Sequence, residues 1–137
     1  MRDNAVLDSG IIAAIFFPET ISKKALAIAE GCDCITVDLA FAETANVAGK
    51  RACLAGFDAD TMKNALDECT AFIRETCQVL PAQDLLPPAY DLACSHRITV
   101  YDALFLAAAV QCGSPLITAD KKLHLAARKV TKTELVR

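Results

Sequence analysis

Residues 99–122 read TVYDALFLAAAVQCGSPLITADKK, and this segment decides the fold expected for the chain. Its first half is rich in Ala and Leu and predicts a helix from Thr99 to Gly113, where the glycine ends the helix and Pro115 keeps it from resuming. The apolar run Leu116–Thr118 then predicts a short buried strand. A helix that leads directly into a buried strand is typical of an α/β sheet.

Two carboxylates flank this helix–strand unit. Asp102 lies at the start of the helix, and Asp120 lies just beyond the end of the strand. Parallel α/β sheets bind their ligands in the crevice outside the carboxyl ends of the strands. If the unit belongs to such a sheet, both side chains can point into that crevice.

The rest of the chain also alternates short apolar runs with helical patterns, which favours parallel strands joined by right-handed crossovers. Further strands are predicted at Ala5–Leu7, at Cys34–Val37, at Cys77–Leu80 and, as an edge strand, at Val130–Lys132. Helices are predicted at Ile11–Phe17, at Glu19–Glu30, from an Asp38 cap to about Cys53, from Asp58 to about Thr76, at Asp84–His96 with Pro87 and Pro88 in the first turn, and from Asp120 to about Lys129.

Length and composition limit the classes of function. The 137 residues are expected to form one domain over 1–137, and the hydrophobic content of 54% favours a large buried sheet or a protein interface. The net charge of −3 gives no sign of a basic surface that wraps nucleic acid. With 6% aromatic residues and no Trp, stacking of bases on an aromatic platform is not expected.

The cysteines and the apolar runs bear on location. Seven Cys without a secretion signal favour a reducing, cytoplasmic environment and thiols that mostly act as small core side chains. The close pair Cys32 and Cys34 has no second ligand pair at zinc-finger spacing, which leaves zinc binding as a distant alternative. The longest apolar runs are too short to span a bilayer, so no membrane association is expected.

Asp8 adds a third carboxylate at the end of a predicted strand. An Asp at a strand-to-helix junction is often only an N-cap, and for Asp8, Asp102 or Asp120 taken singly the cap is the simpler interpretation. Asp102, three residues after Thr99, also fits half of a capping box.

Glu43 is harder to explain as a cap. It lies inside a predicted helix, with Leu39 four residues before it and Val47 four residues after it, so it falls on the apolar stripe expected to face the sheet. An ionised carboxylate buried there needs a basic partner or a metal ion, and Lys50 is one possible partner. The second predicted strand, like the first, should nevertheless deliver the helix that follows it to the same edge of the sheet. Glu43, which lies in that helix, then approaches Asp8, Asp102 and Asp120.

Four carboxylates that converge without basic partners repel one another, and a hard divalent cation relieves that repulsion. Mg²⁺ and Mn²⁺ prefer oxygen ligands and keep several waters. Such ions can activate a water and neutralise charge on a phosphodiester, so the set of four favours phosphodiester hydrolysis.

Four blocks of sequence carry a resemblance to a known family. They are Val6-Leu7-Asp8-Ser9, Ala42-Glu43 with Asn46, Tyr101-Asp102-Ala103-Leu104 with the alanines up to Ala109, and Leu116-Ile117-Thr118-Ala119-Asp120 with Lys122-Leu123. Together they resemble the PIN-domain ribonucleases, and within them the small single-domain toxins of VapBC-type toxin–antitoxin pairs.

The resemblance implies a three-layer α/β/α fold with a central parallel sheet and an endoribonuclease that depends on Mg²⁺ or Mn²⁺. It implies a homodimer, silenced by an antitoxin that covers the acidic groove. Carried over by position, the metal ligands and catalytic residues are Asp8, Glu43, Asp102 and Asp120, with hydroxyl support from Ser9 and Thr118. Gly10 departs from the larger residue that the family often has at its position.

Several other polar residues have both a functional and a structural interpretation. Asn46 could orient a water or a ligand, and Lys50 and Arg51 could meet RNA phosphates, although a solvated helix end is the simpler interpretation of the two cations. His96 and His124 are expected to be surface or packing residues, because a metal-activated water needs no His base.

Three other functions stay open from the sequence. A PIN-type nuclease could process RNA without a toxin role. A phosphatase or phosphotransfer domain would need further acids beside Asp8, and Gly10 stands where a second one would be. A non-catalytic RNA-binding or scaffold domain is disfavoured by the negative charge and the few aromatics.

Overall fold

The computed structural model describes residues 2–137, and its strands form a parallel sheet. They are β1 (Asn4–Leu7), β2 (Asp33–Val37), β3 (Gln78–Leu80), β4 (Leu116–Thr118) and β5 (Thr133–Leu135). Their spatial order is β3-β2-β1-β4-β5, and each neighbouring pair is parallel. In the centre, Val6 of β1 lies between Ile35 of β2 and Leu116 of β4.

Helices connect the strands and cover both faces of the sheet. They are α1 (Ser9–Phe16), α2 (Ser22–Gly31), α3 (Leu39–Cys53), α4 (Ala59–Glu75), α5 (Ala82–His96), α6 (Val100–Cys112) and α7 (Lys121–Ala127). Right-handed crossovers place α1 to α4 on one face and α5 to α7 on the other. The contacts agree, because α1 packs on α2, α3 and α4, whereas α5 packs on α6. The predicted three-layer α/β/α architecture with a central parallel sheet is confirmed.

Helix α6 forms the centre of one helical layer. Thr99 caps its N-terminus by accepting the N–H of Asp102, and Gly113 ends it in the left-handed conformation at φ 61°. The residues from Ala103 to Ala109 are all buried, because α6 lies between α5 and strands β1, β2 and β4. A helix that is apolar on every side is expected in such a position, and the prediction for this segment is confirmed.

The prediction for the start of α5 is wrong, and Asp38 is the reason. The Asp38 carboxylate does not cap α3; it accepts the N–H of Ala82 at 3.0 Å, 44 residues away. This bond satisfies a free N–H at the first residue of α5, so the helix begins at Ala82 instead of Asp84. Pro87 and Pro88 consequently lie inside the helix and not in its first turn.

The predicted edge strand exists, but its position is wrong. The N–H groups of Val130 and Thr131 still donate to the carbonyl of Ala127, which prolongs the end of α7 by a turn. Ladder pairing with β4 starts only when Leu116 N donates to the carbonyl of Lys132. The strand is therefore Thr133–Leu135 instead of Val130–Lys132.

All seven cysteines are free thiols, of which Cys34, Cys69 and Cys77 are buried. The prediction that the thiols act as core side chains holds for these three, whereas Cys53 and Cys94 are exposed. Within residues 2–137, no helix combines the length and the apolar composition needed to cross a membrane.

Candidate metal centre

The strand order places a crevice between β1 and β4. From β1 the chain moves outward through β2 to β3, and then returns to the other side of β1 with β4 and β5. This reversal is a topological switch point, where the connections on either side leave in opposite directions and open a crevice at the carboxyl ends of the strands. Asp8 directly follows β1, and Asp120 follows β4 after one intervening residue.

A cavity of about 410 Å³ opens at this point. It contains all four carboxylates predicted from the sequence, contributed by the ends of two strands and by helices on both faces of the sheet. Its lining residues are Asp8, Ser9, Gly10, Glu43, Asp102, Phe105, Ala119 and Asp120. The structure therefore brings together side chains that are up to 112 positions apart along the chain.

Asp8 is the most enclosed of the four, with 8% of its surface exposed. It is the N-cap of α1, and its Oδ1 accepts the N–H of Ile11 at 3.0 Å, while its Oδ2 accepts the hydroxyl of Thr118. Burial raises the pKa of Asp8 to about 6, and the negative charges of Asp102 and Asp120 add to the rise against these two hydrogen bonds.

Thr118 connects Asp8 to Asp120. Its fully buried hydroxyl donates to Asp8 Oδ2 and accepts the backbone N–H of Asp120 at 3.0 Å. Asp120 in turn caps α7, where its Oδ1 accepts the N–H groups of Lys122 at 2.8 Å and Leu123 at 3.1 Å. One oxygen of Asp120 is thus used for the helix, and the other remains available to a ligand.

Glu43 reaches the cavity from α3 and is held by Ser9. The Ser9 hydroxyl donates to Glu43 Oε1 at 2.7 Å. Lys50 does not compensate the charge of Glu43, since no Lys or Arg within residues 2–137 forms an ion pair with any of the four carboxylates. The half-buried carboxyl group of Glu43 therefore lies on the cavity wall without a basic partner in this part of the chain.

Asp102 enters from α6, on the opposite face of the sheet from Glu43. Its backbone N–H donates to the Thr99 hydroxyl at 3.1 Å, which confirms the predicted half of a capping box. Burial raises the pKa of Asp102, and the charge of Asp120 raises it further, while Thr99 and Lys122 act against the rise.

The donor set fits a hard divalent cation. It offers carboxylate oxygens only, and burial raises the pKa values of two of its members, Asp8 and Asp102, with a smaller contribution from the like charges near them. Within the described chain, however, no three His, Cys, Asp or Glu side chains lie close enough together to hold an ion in their present positions. Binding of an ion by three of these carboxylates would require their side chains to rotate toward one another.

Arg51, one of the two cations considered for RNA binding on the basis of the sequence, contacts other residues of the protein. The Arg51 guanidinium donates to the carbonyl of Pro18 at 2.9 Å and lies 3.8 Å from the carboxylate of Glu19. It also lies over the rings of Phe17 and Phe57, at 5.8 Å and 5.4 Å from their centroids. These contacts favour the structural interpretation of Arg51, and RNA binding by this residue stays a prediction.

Asn46 and Lys50 are exposed on α3 and are not among the cavity's lining residues. Their proposed roles with water, ligand or RNA stay predictions. Sequence reasoning did not place Phe105 and Ala119 in the site, since neither carries a chemical signal. A Cβ at Gly10 would make one ordinary van der Waals contact, with Asp8 Oδ1 at 3.6 Å, so the backbone there leaves room for the methyl group of an alanine.

Comparison with known proteins identifies the fold and the family. A model of the PIN domain matches residues 5–129. Ribonuclease VapC3 of Pyrobaculum aerophilum is 35% identical over 119 residues, which are 86% of this chain and 90% of that protein.

Solved structures agree on the fold. PAE2754 from Pyrobaculum aerophilum superposes with a TM-score of 0.69 at 22% identity, over 97% of this chain and 92% of that one. VapBC2 from Rickettsia felis, bound to a DNA fragment from its promoter, gives 0.67 at 12% identity, over 98% and 99% of the two chains. Family model, sequence relative and fold converge, and the chain belongs to the PIN domain family.

Proposed function

We propose that this chain is an endoribonuclease that depends on Mg²⁺ or Mn²⁺ and hydrolyses RNA phosphodiester bonds. The observation that carries the proposal is the convergence of Asp8, Glu43, Asp102 and Asp120 on one cavity without a basic partner in the described chain. Such a charge arrangement is unfavourable on its own and becomes favourable when a cation is bound.

RNA is the proposed substrate because a relative over most of the chain carries the name ribonuclease. A metal-dependent phosphodiester hydrolase also suits a cavity that holds carboxylates from both faces of a sheet. A bound divalent cation would lower the pKa of a water and offset the charge that develops on the phosphate.

The chain's own residues position the acids. Burial and two hydrogen bonds fix the Asp8 carboxylate, Thr118 links it to Asp120, and the Ser9 hydroxyl holds one oxygen of Glu43. Hydroxyl partners of this kind fix the rotamers of acidic ligands and tune their basicity. Neither Ser9 nor Thr118 changes charge, so both serve as positioning residues and not as acids or bases.

No histidine is needed for the proposed reaction. His124 Nδ1 lies 3.1 Å from the Thr133 hydroxyl on β5, which is a packing contact away from the acidic cavity. His96 is also absent from the residues that line the cavity in the described part of the chain. In the proposed reaction, water and the carboxylates are therefore the groups that donate and accept protons.

Substitution of the acids tests the proposal. Asp8→Asn and Asp102→Asn keep side-chain size but remove ligand charge, and each should lower the rate of cleavage of a single-stranded RNA in Mn²⁺ by at least about 100-fold. Asp67→Asn, at an exposed position of α4, is the matched control and should cleave like the wild type. Cleavage retained by both Asp8→Asn and Asp102→Asn would overturn the assignment, and a stable aspartyl phosphate on Asp8 would favour phosphotransfer.

The biological setting is a further part of the proposal. The chain would act as one nuclease domain over 1–137, in the cytoplasm, as a homodimer and as the toxin of a toxin–antitoxin pair. The support is the named relative and the fold shared with solved toxin–antitoxin assemblies such as VapBC2. Growth arrest on expression, relieved by the product of an adjacent reading frame, and a dimer mass in light scattering would support this setting. Expression without any effect on growth would favour RNA processing instead.

A further inference from the structure

A second groove, of about 540 Å³, lies between the C-terminus of α5 and helix α7. It is lined by His96, Lys122, Leu125, Ala126, Arg128 and Lys129. Three of these six side chains are cations at neutral pH, and none of the six is acidic. In a chain with a net charge of −3, this is a local concentration of positive charge.

The cations follow the surface of α7. Lys122, Leu125, Ala126 and Lys129 are separated by three, four and seven positions, so they lie along one side of the helix and its terminal turn. From Lys122 to Lys129 the backbone rises by about 10 Å. The ion pairs of residues 2–137 involve Arg2, Arg51 and Arg74, which leaves Lys122, Arg128 and Lys129 free to bind an anion.

The basic groove adjoins the acidic cavity. The backbone N–H of Lys122 donates to Asp120 Oδ1 at 2.8 Å, and the ammonium charge of Lys122 acts on the carboxyl of Asp102. Lys122 thus takes part in the electrostatics of one site while its side chain lines the other. A polymer that occupies the groove would reach the carboxylates without crossing the rest of the surface.

We propose that this groove, formed by Lys122, Arg128 and Lys129 beside His96, binds the phosphate backbone of single-stranded RNA and leads it into the acidic cavity. This inference rests on the proposed ribonuclease function and adds where the substrate lies. The carboxylates repel a polyanion, and a cation bound among them acts only locally. Phosphates on either side of the scissile bond therefore need cations outside the cavity.

The groove also predicts how selective the binding is. Its lining contains no Phe, Tyr or Trp on which bases could stack, and the apolar contact comes from Leu125, which is 48% exposed. Binding is then carried by phosphates and depends little on base identity, since stacking and base-edge contacts are what discriminate among bases.

Charge reversal in the groove, matched by charge reversal elsewhere, tests the inference. One double variant carries Arg128→Glu and Lys129→Glu in the groove. The control double variant carries Lys23→Glu and Lys63→Glu, at exposed positions on α2 and α4, and changes the net charge by the same amount. The measurement is the anisotropy of a fluorescent single-stranded oligouridylate in chelator, so that no cleavage occurs. At low salt the groove double variant should bind the RNA at least about tenfold more weakly than the control double variant. The slope of the logarithm of its association constant against the logarithm of salt concentration should be smaller in magnitude by about 1.4.

The controls separate this inference from its alternatives. The melting temperatures measured by circular dichroism should be equal for the two double variants. The single variant Arg128→Lys, which keeps the positive charge, should keep most of the wild-type affinity. Equal losses in the two double variants, or competition by polyglutamate as effective as that by RNA, would overturn the inference; the latter would indicate a docking site for an acidic protein. Because binding is measured without metal, RNA binding that depends on the groove while the protein fails to cleave RNA in Mn²⁺ would overturn only the proposed function.

Discussion

Helices α1 and α4 both begin at an Asp N-cap, but the pKa values of the two Asp carboxyls are shifted in opposite directions. Asp8 caps α1 by accepting the N–H of Ile11, and Asp58 caps α4 by accepting the N–H of Thr61. The pKa of Asp8 is raised to about 6 by burial, whereas the hydroxyl and backbone N–H of Thr61 lower the pKa of the exposed Asp58.

The local capping pattern is therefore the same, and the surroundings decide the role. At α4 the ionised carboxylate is solvated and stabilises the helix end. At α1 the carboxylate is enclosed beside Asp102 and Asp120, and its negative charge is costly without a compensating cation. The simple cap interpretation is thus correct for Asp58 and incomplete for Asp8.

Removing each charge should change stability in opposite directions, and this is the largest expected effect. A pKa raised from 3.8 to about 6 corresponds to at most about 3 kcal/mol of destabilisation by the ionised form. This penalty is complete above pH 6, declines between 6 and 3.8, and is absent below. Asp8→Asn should therefore raise the free energy of unfolding at about pH 8, in chelator, and give no gain at about pH 3.5.

Asp58→Asn is the matched change at α4. Because the folded-state pKa is lowered, ionised Asp58 contributes stability above its ordinary pKa, and that contribution is lost as the pH falls through the lowered value. The variant should be slightly less stable than wild type at neutral pH and equal to it in acid. Urea denaturation measures both variants, and a loss of stability in Asp8→Asn at neutral pH would contradict the burial of an uncompensated charge.

The bridging hydroxyl of Thr118 gives a second, smaller contrast. Thr118→Val removes the hydrogen bond to the buried Asp8 and also the acceptor of the Asp120 backbone N–H, so it should cost about 1–3 kcal/mol. Thr44 is equally buried, but its hydroxyl donates to backbone carbonyls of its own helix, those of Ala40 at 2.8 Å and Phe41 at 3.3 Å. Thr44→Val should cost less in urea denaturation, and equal losses would show that Thr118 has no special role.

The smallest effect is expected at Gly10. A Cβ there meets only Asp8 Oδ1, at an ordinary contact distance of 3.6 Å, and the position lies in the first turn of α1. Gly10→Ala should stabilise the fold by about 0.5–1 kcal/mol and leave RNA cleavage unchanged. A thermal melt and a cleavage assay check this, and a loss of cleavage would show that the cavity needs the space at Gly10.

The features that could be predicted from the sequence are local ones. Thr99, Gly113 and Pro115 determine α6 and its limits through capping and backbone geometry within a few residues. The resemblance in four blocks was enough to place the carboxylates in one family pattern. These signals need no knowledge of distant parts of the chain.

The features that could not be predicted depend on distant contacts. The start of α5 is determined by Asp38, 44 residues away, and the position of β5 by its ladder with β4. Likewise the sequence shows an Asp before a helix at both 8 and 58, and only the fold shows the burial that raises the pKa of Asp8. Burial at a site made from four separate elements is a tertiary property.

A calorimetric titration with Mn²⁺ tests the convergence of the four acids most directly. Wild type and Asp58→Asn should bind the ion equally, because the carboxylate at α4 is remote from the cavity. The double variant Asp8→Asn with Asp102→Asn should show no binding heat, since two of the four ligand charges are gone. Undiminished Mn²⁺ binding by the double variant, or no binding by the wild type, would contradict a metal centre at this end of the sheet.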